Sequence, residues 1–306
     1  MIRSRLASIA LALLATAVVA SACESSGDSD GERKRAVDRF DSNRAWRLVR
    51  QQLTYGQRPA GSPQLRRLAV RLRPLLPDGR FEPLPREPGL RNIVGTLPGR
   101  QPGIVVGAHY DTLVQPKGFV GANNGAAGTA VVIEVARAVA AAKPPRGARE
   151  VRFVLFDGEE PAAGLPEESP DFYSAGLRGS RAYVAAHPDR TAAMVLLDYV
   201  GNKGLQLPRE GSSTISLWTR LRAAARVVGA QRFFPPDVGE IIVDDHTPFL
   251  RAGVPAVDLI DWAYPGHDLS DGIDKLSRAS LDAVGESVVE LVLRLRGSRA
   301  AAAYAP

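Results

Sequence analysis

Ile104-Val105-Val106-Gly107-Ala108 is a short uncharged run that closes on His109-Tyr110-Asp111-Thr112. It reads as a strand buried on both faces, delivering polar side chains at its C-terminal end. Three more short, mostly apolar runs end in the same way. Val151 to Phe156 is followed by Asp157-Gly158-Glu159-Glu160, Ala193 to Leu197 by Asp198, and Ala256 to Ile260 by Asp261, with His267 shortly after. Helical periodicity fills the intervals at Ala126 to Ala142 and Ser213 to Val228, and a last helix is expected from about Arg278 to Leu295. Ahead of the first strand, Ala36 to Leu75 is helical around the turn-rich segment Gly56 to Pro63. Strands alternating with helices predict an α/β fold with a mainly parallel central sheet and helices on both faces. In such a sheet the C-terminal strand ends share one edge, and ligands bind there. Three of the four histidines, His109, His246 and His267, lie at those ends or in loops near them.

The 306 residues, 45% hydrophobic and 24% charged, exclude a disordered chain, a collagen, a coiled coil and a multi-span membrane protein. One cysteine excludes a disulfide framework, a Cys-based zinc knuckle and an iron-sulfur site. Any metal must therefore sit on His, Asp or Glu. That cysteine, Cys23, follows two early arginines and the apolar run Leu6 to Ala20, which is too short to span a bilayer. The segment reads as a signal peptide over residues 1–22. Cys23 is the expected site of lipid attachment, and residues 23–35 form a solvated tether. The protein is thus expected outside the cell, as an outward-facing membrane lipoprotein or in secreted form. A single domain occupies 36–306. The net charge is +6, but arginine supplies 34 of the 39 basic residues, scattered and not interleaved with aromatics, so nucleic acid is not the expected partner.

Beyond the tether the chain has no Gly-x-Ser-x-Gly elbow, and Gly121 to Gly128 lacks the ending of a P-loop. Histidines and carboxylates converging from several strand ends fit a metal site with an open position for water or substrate. Glu159 and Glu160 point differently, so one can hold metal while the other serves as general base. Asp111 is placed to orient His109. His246 precedes Thr247-Pro248 and is expected to help start a short helix, Phe249 to Ala252, with Thr247 as its N-cap. His187, before Pro188, is expected to be structural, as are Trp46 and Trp218, whereas Trp262 lies in the loop leading to His267.

The motifs Val105 to Thr112, Gly121-Ala122-Asn123-Asn124, Phe156-Asp157-Gly158-Glu159-Glu160, Gly179-Ser180-Arg181 and Asp244-Asp245-His246-Thr247-Pro248-Phe249-Leu250-Arg251 together resemble the M28 metallopeptidase and glutaminyl cyclase superfamily. The resemblance covers roughly Gln57 to Leu295. It implies a zinc-aminopeptidase-like (phosphorylase/hydrolase-like) architecture. The 18-residue insert between Glu160 and Gly179, Leu196-Leu197-Asp198 and the Asp-Asp-His block look more like the cyclase branch. By that resemblance Asn124, Glu160 and His267 occupy the zinc-ligand positions and Glu159 that of the general base. His109 and Asp198 match the ligands of a second zinc in the peptidases, whereas in cyclases Asp198 shares a carboxylate network with Asp244. The implied activity is zinc-dependent cyclisation of N-terminal glutamine on peptides or proteins. Aminopeptidase action is a second reading, and an exported binder with an impaired site a third.

The sequence departs from the family pattern at three places. Asn124 stands where the family has aspartate, Gly266 where it has tryptophan, and Leu165 near an aromatic pocket position. An amide oxygen coordinates without negative charge, so zinc on Asn124, Glu160 and His267 keeps about one uncompensated charge. Asn124 also precedes Gly125, a pairing prone to deamidation that would restore aspartate. The simpler expectation is a turn leading into a helix.

Overall fold

The strands of the computed structural model are β1 (Arg80–Pro83), β2 (Arg91–Leu97), β3 (Arg100–His109), β4 (Arg149–Phe156), β5 (Thr191–Leu197) and β6 (Ala256–Leu259). They form one sheet in the order β1-β2-β4-β3-β5-β6. β4, β3, β5 and β6 run parallel, and β2 is antiparallel to both β1 and β4. The structure describes residues 38–162, 165 and 169–297, all within one compact unit, Arg35–Pro306. The signal segment, Cys23 and the tether lie outside the described residues, as do residues 163, 164 and 166–168 of the insert.

The helices are α1 (Ser42–Leu53), α2 (Pro63–Leu72), α3 (Gly128–Ala141), α4 (Phe172–Ala175), α5 (Arg178–Ala186), α6 (Ile215–Val227), α7 (Thr247–Arg251) and α8 (Arg278–Gly297). No helix among the described residues is long and apolar enough to cross a membrane. Side chains alternate across the sheet, so each strand serves two cores. Ile104, Val106, Phe153, Val195 and Val257 face the larger core with α1, α3, α6 and α8, whereas Val105, Val154, Met194 and Leu196 meet Tyr183 of α5 and Phe249 of α7. Helices therefore cover both faces, as the continuous apolar runs imply.

Two strands go beyond the sequence reading. β1 is partly exposed and carries charge, and β2 opens on Arg91-Asn92, so neither shows the apolar run that marks the parallel strands. The expected helix at 126–142 is α3, preceded by a wide helical turn at Ala122–Ala127 in which Asn124 (φ −75°, ψ 96°) and Gly125 (φ 92°, ψ −45°) leave helical geometry. The Asn-Gly pair thus forms the turn into the helix, and such wide turns are frequent at functional sites. Gly128 then lets α3 press against β5, because a Cβ there would lie 2.2 Å from the Leu197 carbonyl oxygen. That contact fixes the α3 start against the strand end that carries Asp198.

Trp218 is buried and Trp46 packs against the larger core, both as expected. His187 closes α5 with Nε2 3.0 Å from a Glu82 carboxylate oxygen, and its ring lies against Tyr183. It is a structural residue.

Candidate metal centre and active site

β3 ends at His109, between β4 and β5, where the chain's crossovers leave in opposite directions. That switch point is the natural crevice of an open parallel sheet. The His109 ring is buried among carboxylates: Nδ1 lies 3.6 Å from Asp111 and 3.7 Å from Glu159, and Nε2 lies 3.4 Å from Asp198. Burial disfavours its charged form, but the surrounding carboxylates of Asp111, Asp198 and Glu159 outweigh that and raise the ring well above its ordinary value. Asp111 does more than orient His109. Its two oxygens accept the backbone N–H groups of Glu159 (3.3 Å) and Glu160 (3.2 Å), so one buried carboxylate holds both members of the glutamate pair.

Burial and the neighbouring Glu160 raise Glu159 well above the usual carboxylate range, with His109 acting the other way. A carboxyl in that condition suits a residue that takes and returns a proton. Glu160 Oε1 accepts from Asn124 Nδ2 at 2.8 Å. The Asn124 backbone N–H in turn donates to Asp271 at 3.0 Å, and Asp271 also receives the Asn123 N–H. Asp271 therefore fixes the loop that presents Asn124, a role with no signal in the sequence.

His267 stands on the exposed rim, in the loop after β6, and Asn124 and His267 meet around one residue that the sequence did not single out, with Glu160 bonded to Asn124 beside it. That residue is Tyr199. Its hydroxyl accepts from Asn124 Nδ2 (3.3 Å) and is in hydrogen-bond contact with His267 Nε2. Tyr199 has φ 43°, a left-handed conformation that costs a bulky residue about 1–3 kcal/mol and marks functional sites. Its ring also meets Trp262 and Tyr264. With Pro265, Gly266, His267 and Asp268 these aromatics line a cleft of about 360 Å³.

Behind Asp198 lies a second chain of buried charges. The approach of Asp198 adds to burial in pushing Asp244 up to about 7, and Asp244 and Asp198 both act to raise Asp258. Asp198, Asp244 and Asp258 thus act on one another through charge, and His246 continues the chain. His246 Nδ1 lies 3.6 Å from Asp258, and its Nε2 lies 3.2 Å from Glu210 and 3.0 Å from the Ser212 hydroxyl. His246 sits at the start of α7 without a side-chain capping bond, and the Thr247 hydroxyl accepts from the Asp244 N–H rather than capping the helix. Thr247 does not cap the helix because its hydroxyl takes the Asp244 backbone N–H, while the His246 ring faces the buried carboxylates of Glu210 and Asp258. Ligand atoms of Asp244, His246 and Asp258 fall within 4.8 Å of one another, an arrangement the charge sharing already accounts for. Asp258 had a legible signal, a charged residue inside a buried apolar strand. Glu210 had none.

The donor set around Tyr199 fits a divalent metal such as zinc: one imidazole nitrogen, one carboxylate, and an amide that can present oxygen after a half turn. His109 and Asp198 face each other at 3.4 Å.

An α/β sheet with paired glutamates, histidines and an amide at its parallel strand ends defines an exopeptidase-like and cyclase-like class of fold. The Peptidase family M28 model matches residues 92–292, and the chain belongs to that family. The glutaminyl-peptide cyclotransferase of Bos taurus is 28% identical over 236 residues, covering 66% of this chain and 65% of that relative. The chain thus spans just under two thirds of the cyclotransferase's length. The crystal structure of an Acidobacteriales bacterium glutaminyl cyclase is similar with a TM-score of 0.71 at 27% identity, over 86% of this chain and 97% of that one. A leucine aminopeptidase precursor from Bacteroides thetaiotaomicron is similar with a TM-score of 0.72 at 26% identity, over 85% and 99%. Both branches of the expected superfamily are therefore represented.

Proposed function

We propose that this chain is an exported zinc-dependent enzyme acting at peptide N-termini in the manner of a glutaminyl cyclase, held to the membrane through Cys23. The observation that carries the choice is the surroundings of His109 and Asn124. Both ring nitrogens of His109 face carboxylates, and the position that would need a shared carboxylate to bridge two metals holds the amide of Asn124. One metal on Asn124, Glu160 and His267 suits this arrangement better than two.

Zinc bound there would polarise the side-chain carbonyl of an N-terminal glutamine. Glu159 takes a proton from the α-amine, whose nitrogen then bonds to the side-chain amide carbon. The carbon–nitrogen bond of that amide breaks, and the proton leaves with ammonia by way of Glu159. Asp111 keeps Glu159 and Glu160 in register through their backbone N–H groups. Trp262 and Tyr264 provide an apolar wall for the glutamine side chain.

The aminopeptidase reading keeps one supporting observation, the 3.4 Å approach of His109 Nε2 to Asp198, two residues that match second-metal ligands. The test is to incubate the zinc-supplemented protein with a peptide beginning with glutamine and one beginning with leucine, followed by mass spectrometry. Loss of ammonia from the first is expected. Release of free leucine would establish the aminopeptidase reading instead, and silence on both from folded, zinc-loaded protein would establish a binder.

A further inference from the structure

We propose that Tyr199 is a fourth protein donor to the metal, its phenol oxygen supplying the anionic charge that the family's aspartate provides at the position of Asn124. The inference rests on the reading that Asn124, Glu160 and His267 take a divalent metal. The Tyr199 hydroxyl touches His267 Nε2 and accepts from Asn124 Nδ2 at 3.3 Å, and the same Nδ2 reaches Glu160 Oε1 at 2.8 Å. The phenol oxygen is therefore one hydrogen bond from two of the three donors and two from the third. Glu160 alone supplies one negative charge against the two of the metal, and a phenolate supplies another where an amide cannot.

A second departure from the family pattern points the same way. A Cβ at Gly266 would lie 2.7 to 2.9 Å from three atoms at the phenol end of the Tyr199 ring. No side chain larger than hydrogen fits between that ring and the loop carrying His267, so a tryptophan at 266 and a tyrosine lying as Tyr199 does exclude each other. Tyr199 is only 1% exposed, its ring is flanked by Trp262 (6.5 Å) and Tyr264 (5.9 Å), and its backbone is left-handed. The side chain is held at the donors. On metal binding the phenol proton passes to solvent, and the oxygen lone pair forms the bond to the metal.

The test is titration of metal-stripped full-length protein with zinc alone, following heat and near-ultraviolet difference absorption. The variants are Tyr199→Phe, Asn124→Asp and the double variant Asn124→Asp/Tyr199→Phe. The wild type is expected to bind about one zinc per chain and to develop the difference band of a single phenolate. Tyr199→Phe should lose that band and bind at least about tenfold more weakly, and the double variant should regain the affinity without the band. Zinc binding by the wild type with no phenolate band overturns the proposal and leaves the metal reading standing. Unchanged affinity in Tyr199→Phe does the same. A wild type that binds no zinc overturns the metal reading and this proposal with it. The band is read on the wild type, so the test survives a variant that fails to fold.

Discussion

Glu210 offers a sharp test of the buried network behind the site. Its carboxylate accepts from the Ser212 N–H (2.8 Å), the Ile242 N–H (3.0 Å) and the Ser213 hydroxyl (2.8 Å), and it faces His246 Nε2 at 3.2 Å. Burial alone would raise it, but the bond and charge of His246 and these backbone donors hold it down at about 2, against an ordinary 4.5. A depressed carboxylate contributes stability that is complete above its unfolded value and lost as pH falls through the folded one. The difference corresponds to about 3 kcal/mol at neutral pH, falling to about 1.4 kcal/mol at pH 3 and to a few tenths at pH 2. Glu210→Gln keeps the shape and removes the charge. Urea unfolding of both proteins at pH 7 and pH 3 should show the variant less stable by about 3 and about 1.4 kcal/mol, the other carboxylates cancelling in the comparison. A gap that is the same at both pH values, or that widens in acid, would refute the assignment of that stability to the Glu210 charge.

Glu159→Gln should lower the turnover of an N-terminal glutamine peptide by about 10²- to 10⁴-fold with little change in zinc content, measured by ammonia release and metal analysis. Asp111→Ala leaves two buried N–H groups unsatisfied and should cost about 2–6 kcal/mol in urea unfolding, while Asp111→Asn, which keeps an acceptor, should cost less. Gly128→Ala drives a Cβ to 2.2 Å from the Leu197 carbonyl and should destabilise by more than about 1 kcal/mol, read as a lowered melting temperature. Zinc added to chelator-treated protein should raise the melting temperature in a concentration-dependent way, and an unchanged midpoint would count against a metal in the folded state.

The fold was legible where burial is two-sided. Ile104–Ala108, Val151–Phe156, Ala193–Leu197 and Ala256–Ile260 are mostly apolar because both faces of the parallel strands are buried, and that pattern survives in one dimension. β1, at the sheet edge, and β2, between β1 and β4, escaped because charged or polar residues open or interrupt them. Glu159, Glu160, Asp198 and His267 were legible for a related reason, since a polar residue after a buried strand has few places to go. His109 was read from its strand end in the same way, and Asn124 and Asp244 came only from the resemblance to the family.

What the sequence by itself determined is the parallel sheet, the edge on which the chemistry gathers, and the residue types available there. Which side chains face one another was decided only in three dimensions. Tyr199 lies 75 residues from Asn124 and 68 from His267, and nothing local to it announces that its hydroxyl joins them. His246 reads as a helix starter until Glu210 and Asp258, from distant segments, are seen closing on its two nitrogens. Periodicity records how a residue relates to solvent, and that relation is set nearby along the chain. A hydrogen bond records a meeting of two segments, and tertiary packing alone fixes where they meet.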